Sequence, residues 1–213
     1  MFAFNNVRYK NVLDIPALII PRGTIVCLVG KSGGGKSTIL RLLNKMISPT
    51  QGSITLDGDD LASFDSVHHR RRTLMLEQTP HIFKGTVRDN LHKPFILQGT
   101  APPEEATLIA YLRMVALKQS LDDSASTLSG GEAQRLALAR ILLLDGDVYL
   151  LDEPSSALDE QTEADVIRTM VDFVRNNGKT MVMVTHSRAI AATYGDVIYG
   201  VDEGHVRRED NHE

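Results

Sequence analysis

The segment Gly30-Lys31-Ser32-Gly33-Gly34-Gly35-Lys36-Ser37 constrains this chain more than any other, because it fits G-x-x-x-x-G-K-[ST] in the one context where that pattern has a mechanism. It follows the apolar run Thr24-Ile25-Val26-Cys27-Leu28-Val29 and precedes Thr38-Ile39-Leu40-Arg41-Leu42-Leu43, whose apolar residues recur at helical spacing. Strand, glycine loop, helix predicts an α/β fold. The glycines let successive backbone N–H groups curl around phosphates, and the N-terminus of the following helix adds its partial positive charge. Residues Gly30 to Gly35 and Thr38 then line the phosphates, Lys36 reaches the β and γ phosphates of a nucleotide, and Ser37 offers its hydroxyl to Mg²⁺. The alternative is a glycine-rich turn with an exposed lysine.

A second signal, an acidic one, stands at Val148-Tyr149-Leu150-Leu151-Asp152-Glu153-Pro154. An apolar strand that ends in two carboxylates delivers them to the crevice where α/β sheets bind ligands. Asp152 is then placed to hold Mg²⁺, and Glu153, pointing elsewhere, to take a proton from an attacking water. An acidic helix start ahead of Pro154 is the other reading. Between the two motifs lies Leu128-Ser129-Gly130-Gly131-Glu132, which also has the pattern of an ordinary helix N-cap with a capping box.

Together these residues resemble the nucleotide-binding domain of an ABC ATPase, over essentially the whole chain. Six segments match in order: the Walker A loop, Gln78 after the strand Thr73-Leu74-Met75-Leu76-Glu77, and the signature from Leu128. The Walker B strand, the D-loop Ser156-Ala157-Leu158-Asp159, and His186 after Met181-Val182-Met183-Val184-Thr185 complete the set. The resemblance implies a P-loop NTPase core of residues 1–78 and 145–213 with an N-terminal antiparallel β region. It also implies an inserted α-helical subdomain, about 79–144, carrying the signature, the whole forming a single domain over 1–213.

It further implies that two copies pair head to tail, as a homodimer or with a similar subunit. Ser129, Gly130, Gly131, Glu132 and Asp159 of one copy then meet the ATP on the P-loop of the other. Ser129 would donate its hydroxyl, and the helix starting near Glu132 would aim its dipole at the γ-phosphate. Glu132 stands where many relatives carry Gln, which removes an amide donor and adds a negative charge. Gln78 would contact Mg²⁺ and the lytic water and sense the partner protein, while His186 would hold the γ-phosphate. Tyr9 is the candidate to stack on adenine, with strand packing as its alternative.

Length and composition agree with a single intracellular catalytic domain. The net charge of −4 argues against a nucleic-acid surface. The one cysteine, Cys27, lies in an apolar strand and reads as a buried hydrophobe. Neither a signal peptide nor a run long enough to cross a bilayer is recognisable, so membrane association is expected through a permease partner on the cytoplasmic face. The run His68-His69-Arg70-Arg71-Arg72 reads as a solvated basic edge.

Helices are predicted over Glu104 to Leu117, Gly131 to Leu144 and Gln161 to Arg175, with Pro94, Pro102 and Pro103 breaking the middle of the insertion. A turn is predicted at Leu56-Asp57-Gly58-Asp59 and a hairpin around Asp202-Glu203-Gly204-His205. The resemblance implies an ATPase that drives a transporter, and the stretch from Glu77 to Leu91 is similar to small ATPases of metal, especially iron, exporters. Two other classes stay open: a soluble ATPase assembling with cytosolic partners such as iron–sulfur cluster factors, and a degenerate nucleotide-binding regulatory module.

Overall fold

A computed structural model describes residues 1–155 and 160–209. The first strands, β1 (Phe2–Tyr9) and β2 (Leu13–Ile20), pair antiparallel, and β4 (Gln51–Leu56) with the short β5 (Asp59–Asp60) extends them in the order β2-β1-β4-β5. The larger sheet holds β3 (Ile25–Val29), β6 (Thr73–Leu76), β7 (Val148–Asp152), β8 (Thr180–Val184), β9 (Val197–Asp202) and β10 (His205–Glu209). Its order is β10-β9-β3-β8-β7-β6, parallel except at the edge, where β10 turns back on β9.

The parallel strands are largely apolar because both faces of the sheet are covered, and their polar positions, such as Thr73, Thr180, Asp152 and Asp202, lie at strand ends. Alternation along a strand then separates two cores. In β3, Val26 and Leu28 face one side, with α1 (Lys36–Leu43) and the antiparallel sheet. Ile25, Cys27 and Val29 face the other, with Met181 and Met183 of β8 and with α4 (Glu105–Met114), α5 (Gly130–Leu143) and α6 (Glu160–Asn176). Each fully buried Leu, Val or Ile contributes about 1.5–3 kcal/mol, so this double-faced sheet is the rigid frame on which the loops at its ends sit. Cys27 lies within it as a free, buried thiol, which burial pushes up to about 12.

Local chemistry starts and stops the remaining helices. Thr86 and Asp89 form a reciprocal capping box at the start of α3 (Val87–Gln98), and Gly99 ends it in the left-handed region. Pro94 lies inside α3 instead of breaking it. A proline removes one intrahelical hydrogen bond, and the capping box and the glycine C-cap hold the helix on either side of it.

The helix expected over Glu104 to Leu117 ends earlier, at Met114, because Ala116 turns to positive φ. The turn before Asp59 and the final hairpin lie where predicted. The basic run forms most of α2 (Ser66–Arg72), which runs into β6. His68 and the three arginines are exposed, as expected, but His69 is buried: its Nε2 sits 2.7 Å from the Leu43 carbonyl at the end of α1, between Phe2 and Phe64. Helical periodicity turns this one residue of the run inward. Among the described residues, no helix is long and apolar enough to cross a membrane.

Candidate functional site

The sheet order brings the functional loops together before any side chain is considered. β3, β8, β7 and β6 are neighbours and run parallel, so their C-terminal ends open on one edge. From those ends leave Gly30–Ser37, His186, Asp152 with Glu153, and Gln78. Residues separated by up to 156 positions in the chain thus share one crevice, which is the usual ligand position of open α/β sheets.

The glycine loop is fixed by close packing. At Gly30, φ is 141°, and a Cβ there would lie inside the Val201 carbonyl of β9. The Gly204 N–H of the β9–β10 turn donates to Gly34 O at 3.1 Å, tying the loop to the hairpin. Behind the loop, α1 starts at Lys36 with Gly35 as N-cap, no side-chain cap and no acidic residue in its first turn. In contrast, α2, α3, α5 and α7 (Arg188–Tyr194) are capped by Asp65, Thr86, Ser129 and Ser187. The first N–H groups of α1 are therefore left for an anion.

Lys36 is 5% exposed, and its Nζ donates to Gly30 O at 2.8 Å and Lys31 O at 2.7 Å. Burial lowers its pKa, opposed by Glu153 and Asp152. Its ammonium is thus parked on carbonyls of its own loop, from which it can turn to a phosphate. Ser32, Gly33, Gly35, Ser37, Thr38 and Lys36 line a cavity of about 190 Å³ that Gln78, Glu153 and Val12 close from the other side. Lys31 is exposed beside it. Val12, in the β1–β2 turn, was not foreseen, since no local pattern marks an apolar residue eighteen positions before Gly30 as a cavity wall.

The two carboxylates of the β7 end are treated differently. Asp152 is 4% exposed, and burial pushes its carboxyl above the ordinary range, while a hydrogen bond from Ser37 acts the other way. A buried acid beside the Ser37 hydroxyl offers oxygen donors of the kind that suit Mg²⁺, and Gln78 lines the same cavity as Ser37. A cation there would also offset the burial of Asp152.

Glu153 has φ 48°, a left-handed conformation that is rare for a side chain of this size. The turn is anchored by the Glu153 N–H on Val184 O at 3.2 Å and swings the carboxylate away from Asp152. Its Oε2 accepts from Gln78 Nε2 at 2.8 Å and its Oε1 meets His186 Nε2 at 2.7 Å. A carboxylate only accepts, so His186 carries a hydrogen on Nε2. Gln78, Glu153 and His186 therefore form one hydrogen-bonded unit at the mouth of the glycine loop.

The signature segment sits elsewhere: Glu132 lines a separate cavity of about 320 Å³ with Gln119 and Arg135. Ser129 is the N-cap of α5, with Gly130 and Gly131 as its first residues. Ser129 and Glu132 form the capping box that the pattern allowed, so the hydroxyl is held within the protomer: Ser129 Oγ donates to Glu132 Oε2 at 2.7 Å. Tyr9 ends β1, half-buried against the core with Lys10 Nζ 5.2 Å from its ring centroid, a position compatible with strand packing and with a stacking face. The D-loop, with Asp159, lies outside the described residues.

Comparison with known proteins agrees with this geometry. The family model described as ABC transporter matches residues 13–156. Protein STAR1 of rice is 41% identical over 86% of this chain, which spans 53% of that protein's length. ABC transporter I family member 17 of Arabidopsis thaliana is 38% identical over 92% of this chain and 75% of its own length. A solved dimeric ATP-binding cassette in a post-hydrolysis state, bound to ADP and Pi, superposes over the full length of both chains with a TM-score of 0.86 and 27% identity. A family match over more than half of the chain, on a fold whose strand ends gather these loops, means that the chain belongs to the ABC transporter family as an ATP-binding cassette.

Proposed function

We propose that this chain is the ATP-hydrolysing subunit of a membrane transporter, and that it works as a head-to-tail pair around two molecules of ATP. The observation that carries the reading is the Glu153 carboxylate, turned out of β7 by a left-handed backbone and held between Gln78 and His186 at the edge of the phosphate cavity. That is the place and the state a general base needs.

Lys36 and the N–H groups of the loop hold the phosphates. Ser37, Asp152 and Gln78 would hold Mg²⁺, which when bound neutralises charge on the β and γ phosphates. Glu153 accepts one proton of the attacking water as its oxygen bonds to the γ phosphorus. The bond from that phosphorus to the β-phosphate oxygen breaks, leaving ADP and inorganic phosphate. His186 and Gln78 orient the water and the γ-phosphate, and Tyr9 stacks on adenine. The signature residues Ser129, Gly130, Gly131 and Glu132 with Asp159 close the site from the second copy, a reading supported by the dimeric state of the similar cassette.

The permease partner holds the chain at the cytoplasmic face of the membrane and selects the cargo. Metal export is the narrower reading, carried by the stretch from Glu77 to Leu91. Glu153→Gln tests the enzyme: it should bind ATP, lose turnover, and accumulate a dimer on sizing chromatography with ATP and Mg²⁺. Turnover equal to the unmodified chain would remove Glu153 from the mechanism.

A further inference from the structure

The Ser129 hydroxyl has one hydrogen, and its acceptor is Glu132 Oε2, which also takes the Ser129 backbone N–H at 2.8 Å. The other carboxylate oxygen, Oε1, accepts from Gln119 Nε2. Gln119 lies thirteen residues before Glu132, in the segment between α4 and α5. Its orientation is dictated by chemistry: a carboxylate offers no donor, so the amide nitrogen must face it. The Gln119 amide oxygen is correspondingly buried without a partner among the described residues. With the Ser129 N–H, the Ser129 hydroxyl and Gln119 all donating to it, the Glu132 carboxyl is held below the usual carboxylate range, the backbone N–H acting most strongly.

A serine that gives its hydrogen to Glu132 faces outward with lone pairs, which repel a phosphate oxygen. To bind a γ-phosphate, Ser129 must exchange one anionic acceptor for another. How readily it does so depends on where the carboxylate is aimed and how much of its charge is already met by a second donor.

We propose that Gln119 is a positioning residue of the composite ATP site: by donating to Glu132 Oε1 it aims the carboxylate that holds the Ser129 hydroxyl, and so sets how readily Ser129 is released to the nucleotide of a second copy. This rests on the head-to-tail reading given above. It adds to it a residue outside the family's six segments, brought to the signature by a loop.

The test is ATP-driven dimerisation in the Glu153→Gln background, followed by light scattering against ATP concentration with Mg²⁺ present. Gln119→Leu should raise the ATP concentration at half-dimerisation by about tenfold, the scale of one hydrogen bond to a charged group. Gln119→Glu should raise it further, because two carboxylates then face each other. The exchange Gln119→Glu with Glu132→Gln keeps both side-chain volumes and rebuilds the bond with donor and acceptor reversed, and should recover the parental midpoint.

Binding of a fluorescent ATP analogue to dilute single protomers should change by less than about twofold, since no phosphate contact of the glycine loop is touched. Midpoints unmoved by Gln119→Leu and Gln119→Glu, or unrecovered by the exchange in folded protein, would overturn the proposal even if melting temperatures fell. Should the Glu153→Gln parent fail to dimerise with ATP and Mg²⁺, the head-to-tail reading falls and this inference with it. Dimerisation of the parent with an unmoved Gln119→Leu midpoint removes this inference alone.

Discussion

Replacing Gly30 by alanine separates two causes that are usually confounded in glycine loops, because Gly33 supplies the control. Both have positive φ, 141° at Gly30 and 82° at Gly33, so an added Cβ strains either backbone. At Gly33 the Cβ would meet nothing within 4 Å, and only the backbone strain of about 1–2 kcal/mol applies. At Gly30 the Cβ falls inside the Val201 carbonyl, well within the 3.0 Å that real Cβ atoms respect, and the obstacle is backbone. Val201 is held on one side by β10 and its strand on the other by β3, so the loop must move instead.

Such displacement of packed structure costs about 1–3 kcal/mol more, giving about 2–5 kcal/mol for Gly30→Ala against 1–2 for Gly33→Ala. In a domain of this size each kcal/mol shifts Tm by about 2–4 °C. Thermal unfolding without nucleotide should therefore show a fall of about 4 °C for Gly33→Ala and about 10 °C for Gly30→Ala. Adding ATP and Mg²⁺ should restore little to Gly30→Ala, whose displaced loop no longer presents its N–H groups in register. Equal shifts for the two variants would refute the claim that Val201 sets the position of the loop.

Two further outcomes follow from the same geometry. Lys36→Ala removes an ammonium that a phosphate would otherwise meet in a half-enclosed cavity, and titration with a fluorescent ATP analogue should show affinity weakened by about tenfold to a hundredfold, the range of a charged hydrogen bond. Cys27, raised to about 12, keeps its proton in the folded chain across ordinary pH. At pH 9 an alkylating reagent should label the chain only after denaturant unfolds it. Because the folded thiol holds its proton more tightly than the unfolded one, it contributes stability that is lost as pH climbs from about 9 towards 12.

What the sequence revealed was local. The glycine loop, the acidic strand end and the Ser129–Glu132 spacing are contiguous patterns whose physics needs no distant partner, and each lies in the element expected of it. The left-handed turn at Glu153 was not legible: it exists because Val184 O, on a neighbouring strand, anchors the Glu153 N–H. The hydrogen bonds that Gln78 and His186 make to that carboxylate span 75 and 33 residues, so only the assembled sheet brings them together. His69 left the solvated basic run for a carbonyl on α1 because helical periodicity turned it inward, and Gln119 reached Glu132 through a loop carrying no pattern. For Ser129, the capping box and a contact across a dimer were competing readings of one segment; the single chain shows the first, and the second requires the hydroxyl to change acceptor.

The claim on which the account turns is that each ATP is closed by residues of two chains. Mixing Lys36→Ala with Ser129→Arg tests it directly, since a head-to-tail pair of the two has one pocket with an intact loop and an intact signature and one pocket with neither. The account predicts that each variant alone is nearly inactive and that the mixture hydrolyses ATP well above the sum of the two. A mixture no more active than its separate components, with pairing of the two chains verified, would contradict it.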